Sequence, residues 1–221
     1  MDRRRHRVLV VDDRALVAQS LAASLSGRRW HVDVLPEPLL GDAVPIVGPG
    51  TGCALVAAAL GPAAPALIRE LTFSSWRVLL LAHADDRLGV AAALDAGASG
   101  WVSVTDELAE LSGAIEAVFG GVVDLVDPNE RTALAIELRR HRTTSARALA
   151  PFERLTPRER EVLAGLVEGM RADDIAASSF VSVTTVRNQI QSVLTKLDAR
   201  SQLDAVARAR RAGWSLEGRA G

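Results

Sequence analysis

A doubly wound α/β domain with a five-stranded parallel sheet, followed by a small all-α domain, is the fold class this sequence predicts. Three observations lead there. Five short apolar runs in the first half of the chain alternate with helical patterns. Two helix-start signatures, Asp127-Pro128-Asn129-Glu130 and Thr156-Pro157-Arg158-Glu159, follow the last of those runs. The charge balance also changes sign: residues 1–120 carry 10 basic and 14 acidic side chains, whereas residues 151–221 carry 11 and 9. A length of 221 residues suits two domains, at roughly 150 residues per domain.

The expected strands are residues 7–11, 30–35, 54–58, 78–81 and 100–104. The helices between and after them are 15–25, 64–71, 87–96 and 107–119. Strands separated by helices imply right-handed crossovers and a parallel, flavodoxin-like sheet. Residues 36–52 are rich in proline and glycine and read as loop, with at most a turn of helix near 39–44. Pro128 opens a linker helix to about Arg142. The small and polar residues 143–151 then read as the hinge. The expected domains are therefore 1–122, a linker at 123–150, and 151–221.

In the last domain Val162, Leu163, Leu166, Val167 and Met170 recur at helical spacing, and Gly169 marks the helix end. A short helix over 173–178, the turn Ser179-Phe180-Val181, a longer helix capped by Ser182 and running to about Leu197, and a final helix over 202–212 follow. This is a helix-turn-helix arrangement within a four-helix domain. On the longer helix Val186, Ile190, Val193 and Leu197 fall on one stripe. Thr184, Arg187, Asn188, Gln191, Ser192 and Thr195 lie opposite, on a face that contains no acid and so would not repel phosphate. Arginine suits guanine edges, Asn and Gln suit adenine edges, and hydroxyls suit phosphate. By amphipathicity alone an ordinary solvated face is the commoner reading.

The segments Leu155-Thr156-Pro157-Arg158-Glu159-Arg160-Glu161-Val162-Leu163, Ile175-Ala176, Thr185-Val186-Arg187 and Leu194-Thr195-Lys196-Leu197 resemble the LuxR-type DNA-binding domain of NarL-like response regulators. The resemblance implies that the longer helix enters the major groove of double-stranded promoter DNA. It implies base contacts by Arg187, Asn188 and Gln191, and backbone contacts around Thr184, Thr185, Ser192 and Lys196. Gln189 stands where that family usually has His, and Gln191 where it often has Lys. Fewer cations imply a shallower salt dependence.

Val8-Leu9-Val10-Val11-Asp12-Asp13, an apolar strand ending in two acids, resembles the start of the receiver domain of the same two-component regulators. The resemblance implies Mg²⁺ at the acid pair, a phosphate-accepting Asp on the third strand, a hydroxyl on the fourth and a Lys on the fifth. Aligning Pro62 with that family's proline puts the first of these positions at Ala58 (Ala59 with a one-residue gap), and the others fall on Ala82 and Val104. Asp12 and Asp13 remain as an acidic pair without the rest of the chemistry. An atypical, phosphorylation-independent receiver is expected, with poor affinity for metal and no cofactor.

Other signals carry less. Gly48-Pro49-Gly50-Thr51-Gly52 lacks the Gly-Lys-Ser/Thr ending of a phosphate loop. His6, His31, His83 and His141 have no metal-ligand spacing, and Cys53 has no evident His partner. Trp30, Trp76, Trp101 and Trp214 read as packing residues. A composition of 48% hydrophobic and 24% charged residues excludes a largely disordered chain. One cysteine excludes a disulfide framework. No apolar run approaches the roughly 20 residues of a membrane span, and the Met-Asp-Arg-Arg-Arg start shows no signal peptide.

The leading expectation is thus a cytoplasmic, non-enzymatic transcription regulator that binds DNA as a homodimer. A small molecule or protein acting at the receiver, and RNA polymerase, are further candidate partners; a membrane is not. The alternative is a signalling adaptor whose receiver docks another protein, with DNA contact secondary.

Overall fold

Five parallel strands hydrogen-bond in the order β2-β1-β3-β4-β5: β1 is His6–Val11, β2 Trp30–Leu35, β3 Gly52–Ala57, β4 Arg77–Ala82 and β5 Gly100–Ser103. This is the flavodoxin-like order, in which the chain switches direction of winding beside β1 and β3. The computed structural model describes residues 6–26, 30–35 and 52–216. The loop expected over 36–52, and the turn within it, lie outside the described residues except for Gly52. So does the glycine-rich stretch before that residue.

Both faces of the sheet are covered. Val8, Val10, Cys53, Leu55, Leu79 and Val102 pack against helices α1 (Ala15–Ser26) and α4 (Leu108–Phe119). Leu9, Val11, Ala54, Val56, Val78 and Leu80 pack on the other face with α2 (Ala63–Phe73) and α3 (Arg87–Asp95). Because side chains alternate along a strand, a sheet buried on both faces needs continuous apolar runs. All six residues of β3 are buried. Trp76 is fully buried just before β4, not within a strand, and Trp30 is buried at the start of β2.

By contact the chain divides into Met1–Arg139 and Arg140–Gly221. Helix α5, Pro128–Glu153, begins in the first unit and ends in the second. The hinge expected over 143–151 is therefore helical, a correction with a local cause. Ala146, Ala148, Leu149 and Ala150 are strong helix formers. Leu149 and Phe152 are held by the apolar core of the second unit. Pro151 would break a helix interior, but it falls in the last turn, where the Leu155 N–H turns back to the Phe152 carbonyl at 3.1 Å. At the other end Leu134 and Leu138 are buried in the core of the first unit.

The second unit holds α6 (Pro157–Val167), α7 (Ala172–Ser178), α8 (Val183–Lys196) and α9 (Gln202–Arg211). These agree with the expected helices to within a residue or two. Gly169 adopts φ +86°, the left-handed conformation that ends α6. The turn between α7 and α8 places Phe180 at φ +53° with its ring exposed.

Candidate nucleic-acid interface

Helix α8 is fixed by its cap and by its inner face. The Ser182 hydroxyl accepts the Thr185 N–H at 3.1 Å, closing one of the open donors of the first turn. Val186 and Ile190 are buried with Val162, Leu166, Ile175 and Ala176 of α6 and α7. Val193 and Leu197 join Leu155, Leu163 and Ala205. Each such side chain contributes about 1.5–3 kcal/mol of burial, so the rotation of α8 about its axis is set. Thr184, Thr185, Arg187, Asn188, Gln191 and Thr195 are consequently exposed on the far side.

Three of the expected DNA-facing residues have partners inside the protein. The Thr185 hydroxyl shares a hydrogen bond with Ser182 at 2.8 Å. The Ser192 hydroxyl donates to Glu159 Oε1 at 2.6 Å, and Lys196 Nζ donates to Glu159 Oε2 at 2.7 Å. The expectation of a face free of acid thus needs correction. The acid comes from α6, not α8, and sits under the C-terminal half of the helix. Sequence reading recognised Glu159 as a helix-start residue but missed its second role, because its partners lie 33 and 37 positions away.

Glu159 is buried and does several things at once. It accepts the Thr156 N–H at 2.7 Å, while Thr156 Oγ1 accepts the Glu159 N–H at 3.3 Å, a reciprocal cap on α6. Burial pushes its carboxyl up, but the bonds from Lys196, Ser192 and Thr156 outweigh that and hold its pKa at about 2. Arg187, Asn188, Gln191 and Thr184 are left as the outward polar groups.

The C-terminal edge of the sheet is the second region of interest. Val11 ends β1 opposite Val56, and Asp12 follows it. Ala57 ends β3 opposite Leu81, and Ala58 begins a short 3-10 turn. Ala82 ends β4 opposite Ser103. Val104 lies one residue beyond β5 rather than within it, its N–H donating to the Ala82 carbonyl at 2.9 Å. Asp12, Ala58, Ala82 and Val104 therefore all stand at the same sheet edge. An open groove of about 620 Å³ beside it is lined by Asp12, Arg14, Leu81, His83, Ser103 and Val104, among others.

The residues at this edge do not fit a Mg²⁺ ion. Arg14 Nε lies 3.1 Å from Asp12 Oδ1 and its NH2 lies 3.2 Å from Oδ2, so both carboxylate oxygens are engaged. Ala58 supplies no third carboxylate. Among the described residues no three His, Cys, Asp or Glu side chains are grouped to hold a metal. Burial raises the Asp12 carboxyl, but the Arg14 side chain and N–H prevail and hold it below the usual range. Burial pushes the Cys53 thiol up to about 12, which makes it a poor nucleophile.

Among the described residues no helix is long and apolar enough to cross a membrane. Residues 153–209 match the family model of GerE, bacterial regulatory proteins of the luxR family. The transcriptional regulatory protein LiaR of Bacillus subtilis is 29% identical, the alignment covering 93% of this chain and 97% of LiaR. The oxygen regulatory protein NreC of Staphylococcus haemolyticus is 31% identical over 61% of this chain and 62% of its own length. Full-length FixJ from B. japonicum shares 23% identity over 94% of this chain and 97% of FixJ, with a TM-score of 0.46. Residues 153–209 thus match the luxR-family helix-turn-helix domain, and in chain order they follow a flavodoxin-like five-stranded sheet.

Proposed function

We propose that this protein is a sequence-specific DNA-binding transcription regulator, a homodimer whose receiver acts without aspartyl phosphorylation. Residues 1–122 would be the degenerate receiver, 123–150 the linker and 151–221 the DNA-binding domain. One observation carries the reading: a capped, rigidly seated helix presents Arg187, Asn188 and Gln191 to solvent, a set able to read base edges in the major groove, with the exposed Thr184 hydroxyl beside them suited to phosphate. The names of the relatives, LiaR among them, point the same way.

A single helix-turn-helix reads only a few base pairs, so paired half-sites and a dimer are expected. Footprinting on genomic fragments tests this. Discrete protected sites with two half-sites support the regulator. Salt-labile smearing without protection would favour the adaptor, and a species that stays monomeric both free and on its site would exclude the dimer.

Phosphodonors should have no effect. A receiver switches when a new dianion recruits its hydroxyl and Lys. Ala58 cannot carry the group, and neither Ala82 nor Val104 can respond to it. Ala58→Asp alone should not restore switching. Acetyl phosphate with Mg²⁺ should leave both the intact mass and the affinity for DNA unchanged. A stoichiometric adduct of about 80 Da with altered DNA affinity would overturn this part of the reading. In a receiver that is not phosphorylated, control enters through expression level, a partner or a small molecule, and for the last the groove beside Asp12 has a volume in the range of ligand pockets.

A further inference from the structure

We infer that the Arg14 guanidinium is the built-in counter-ion of the Asp12–Asp13 pair, standing where a divalent cation would bind and keeping this sheet edge free of metal. The inference rests on the reading of the first unit as a receiver without phosphorylation chemistry, and adds what replaced its cation.

Asp12 is 4% exposed. A carboxylate so far from water is costly unless it is paired and hydrogen-bonded. Arg14 meets that need completely: its N–H donates to Oδ1 at 2.8 Å, its Nε to Oδ1 at 3.1 Å and its NH2 to Oδ2 at 3.2 Å. A planar guanidinium suits a carboxylate in this forked manner, which an ammonium does not. Arg14 Nε also lies 3.7 Å from Asp13 Oδ1. That oxygen is buried and has no hydrogen-bond partner among the described residues, so the guanidinium is the positive charge it faces.

The pairing is local. Arg14 follows Asp12 by two residues in the turn between β1 and α1, so forming the turn brings the charges together. A divalent ion would have to displace the guanidinium, or sit beside it and be repelled. Among the described residues it would then find two carboxylates and no third, and water would have to complete the near-octahedral oxygen shell that Mg²⁺ demands.

Mn²⁺ binding to the full-length protein, counted by electron paramagnetic resonance, tests the inference. The unmodified protein should bind no Mn²⁺ at millimolar concentration. Arg14→Ala should bind one ion, about tenfold or more tightly than the unmodified chain, because a like charge has left the site. Adding Asp12→Asn to that variant should abolish the gain. In metal-free buffer Arg14→Ala should melt about 4 °C lower and recover in Mn²⁺. Arg14→Gln gives the same reading should the alanine variant fold poorly.

Equal Mn²⁺ affinity in the unmodified protein and the variant would overturn the inference. So would a folded Arg14 variant that gains none. Phosphorylation independence fails by a different sign, a mass adduct, so the two failures are distinguishable.

Discussion

Arg187→Ala is expected to weaken binding to a specific site by about 1–3 kcal/mol, roughly 5- to 150-fold, and to relax the preference at one base position. The direction follows from position. Arg187 is exposed on α8, one residue after the fully buried Val186, so the helix cannot rotate it away without exposing the stripe that seats it. A guanidinium in the major groove pairs with both acceptors of a guanine edge, and alanine with neither. Thr184→Ala touches no base in this reading and should weaken all sequences about equally. Titrations on a matched set of single-base variants check this. Unchanged affinity and unchanged base preference in Arg187→Ala would mean that α8 is not the reading helix.

Glu159→Gln should destabilise the second unit by about 2–3 kcal/mol at neutral pH. A glutamine of the same size keeps part of the cap on Thr156. It loses the charge that holds Lys196, leaving a half-buried ammonium without its partner. The effect depends on pH in a definite sense. The folded carboxyl titrates at about 2, below its ordinary value of 4.5. Its contribution is therefore complete above about pH 4.5, falls as the pH drops, and is gone once the pH has passed through about 2. Amide hydrogen exchange along α6 and α8 at pH 7 measures the loss in the variant. Following the α8 amides by NMR from pH 7 to pH 2 should show an acid-induced weakening that Glu159→Gln removes. An unmodified protein as stable at pH 3 as at pH 7 would contradict the ion pair.

The same carboxylate changes how Lys196 is to be regarded. A lysine paired at 2.7 Å with a buried acid is a poor free cation for phosphate. Lys196 and Ser192 remain at the rim of the proposed interface, but their first partner is Glu159. Substituting Lys196 should therefore alter the stability of the unit as well as any contact with DNA.

The order of elements was legible in the sequence because its signals are local. Runs such as Val8–Val11 cannot be solvated, so they become strands. Thr156 and Ser182 close the first turns of their own helices through residues three positions on. The stripe Val186, Ile190, Val193 and Leu197 determines which side of α8 is left outside. The absence of a carboxylate at Ala58, and of a hydroxyl or amine at Ala82 and Val104, is chemistry readable from residue type alone.

What the tertiary structure decided lies between distant residues or in the balance of weak local preferences. Thr143 to Pro151 reads as hinge from composition. Yet Leu134 and Leu138 are buried in the first core, Phe152 is buried in the second with Leu149 packed against it, and the residues between them are good enough helix formers for α5 to continue. Glu159 reads as a cap, while its hold on Ser192 and Lys196 exists only once α6 and α8 are packed. Even Arg14, two residues from Asp12, looks like a surface cation until β1 buries that carboxylate. Helix starts and apolar stripes follow from neighbours along the chain. A buried charge acquires its meaning from whatever the fold brings against it, because the cost of removing it from water is set by its surroundings and not by its sequence.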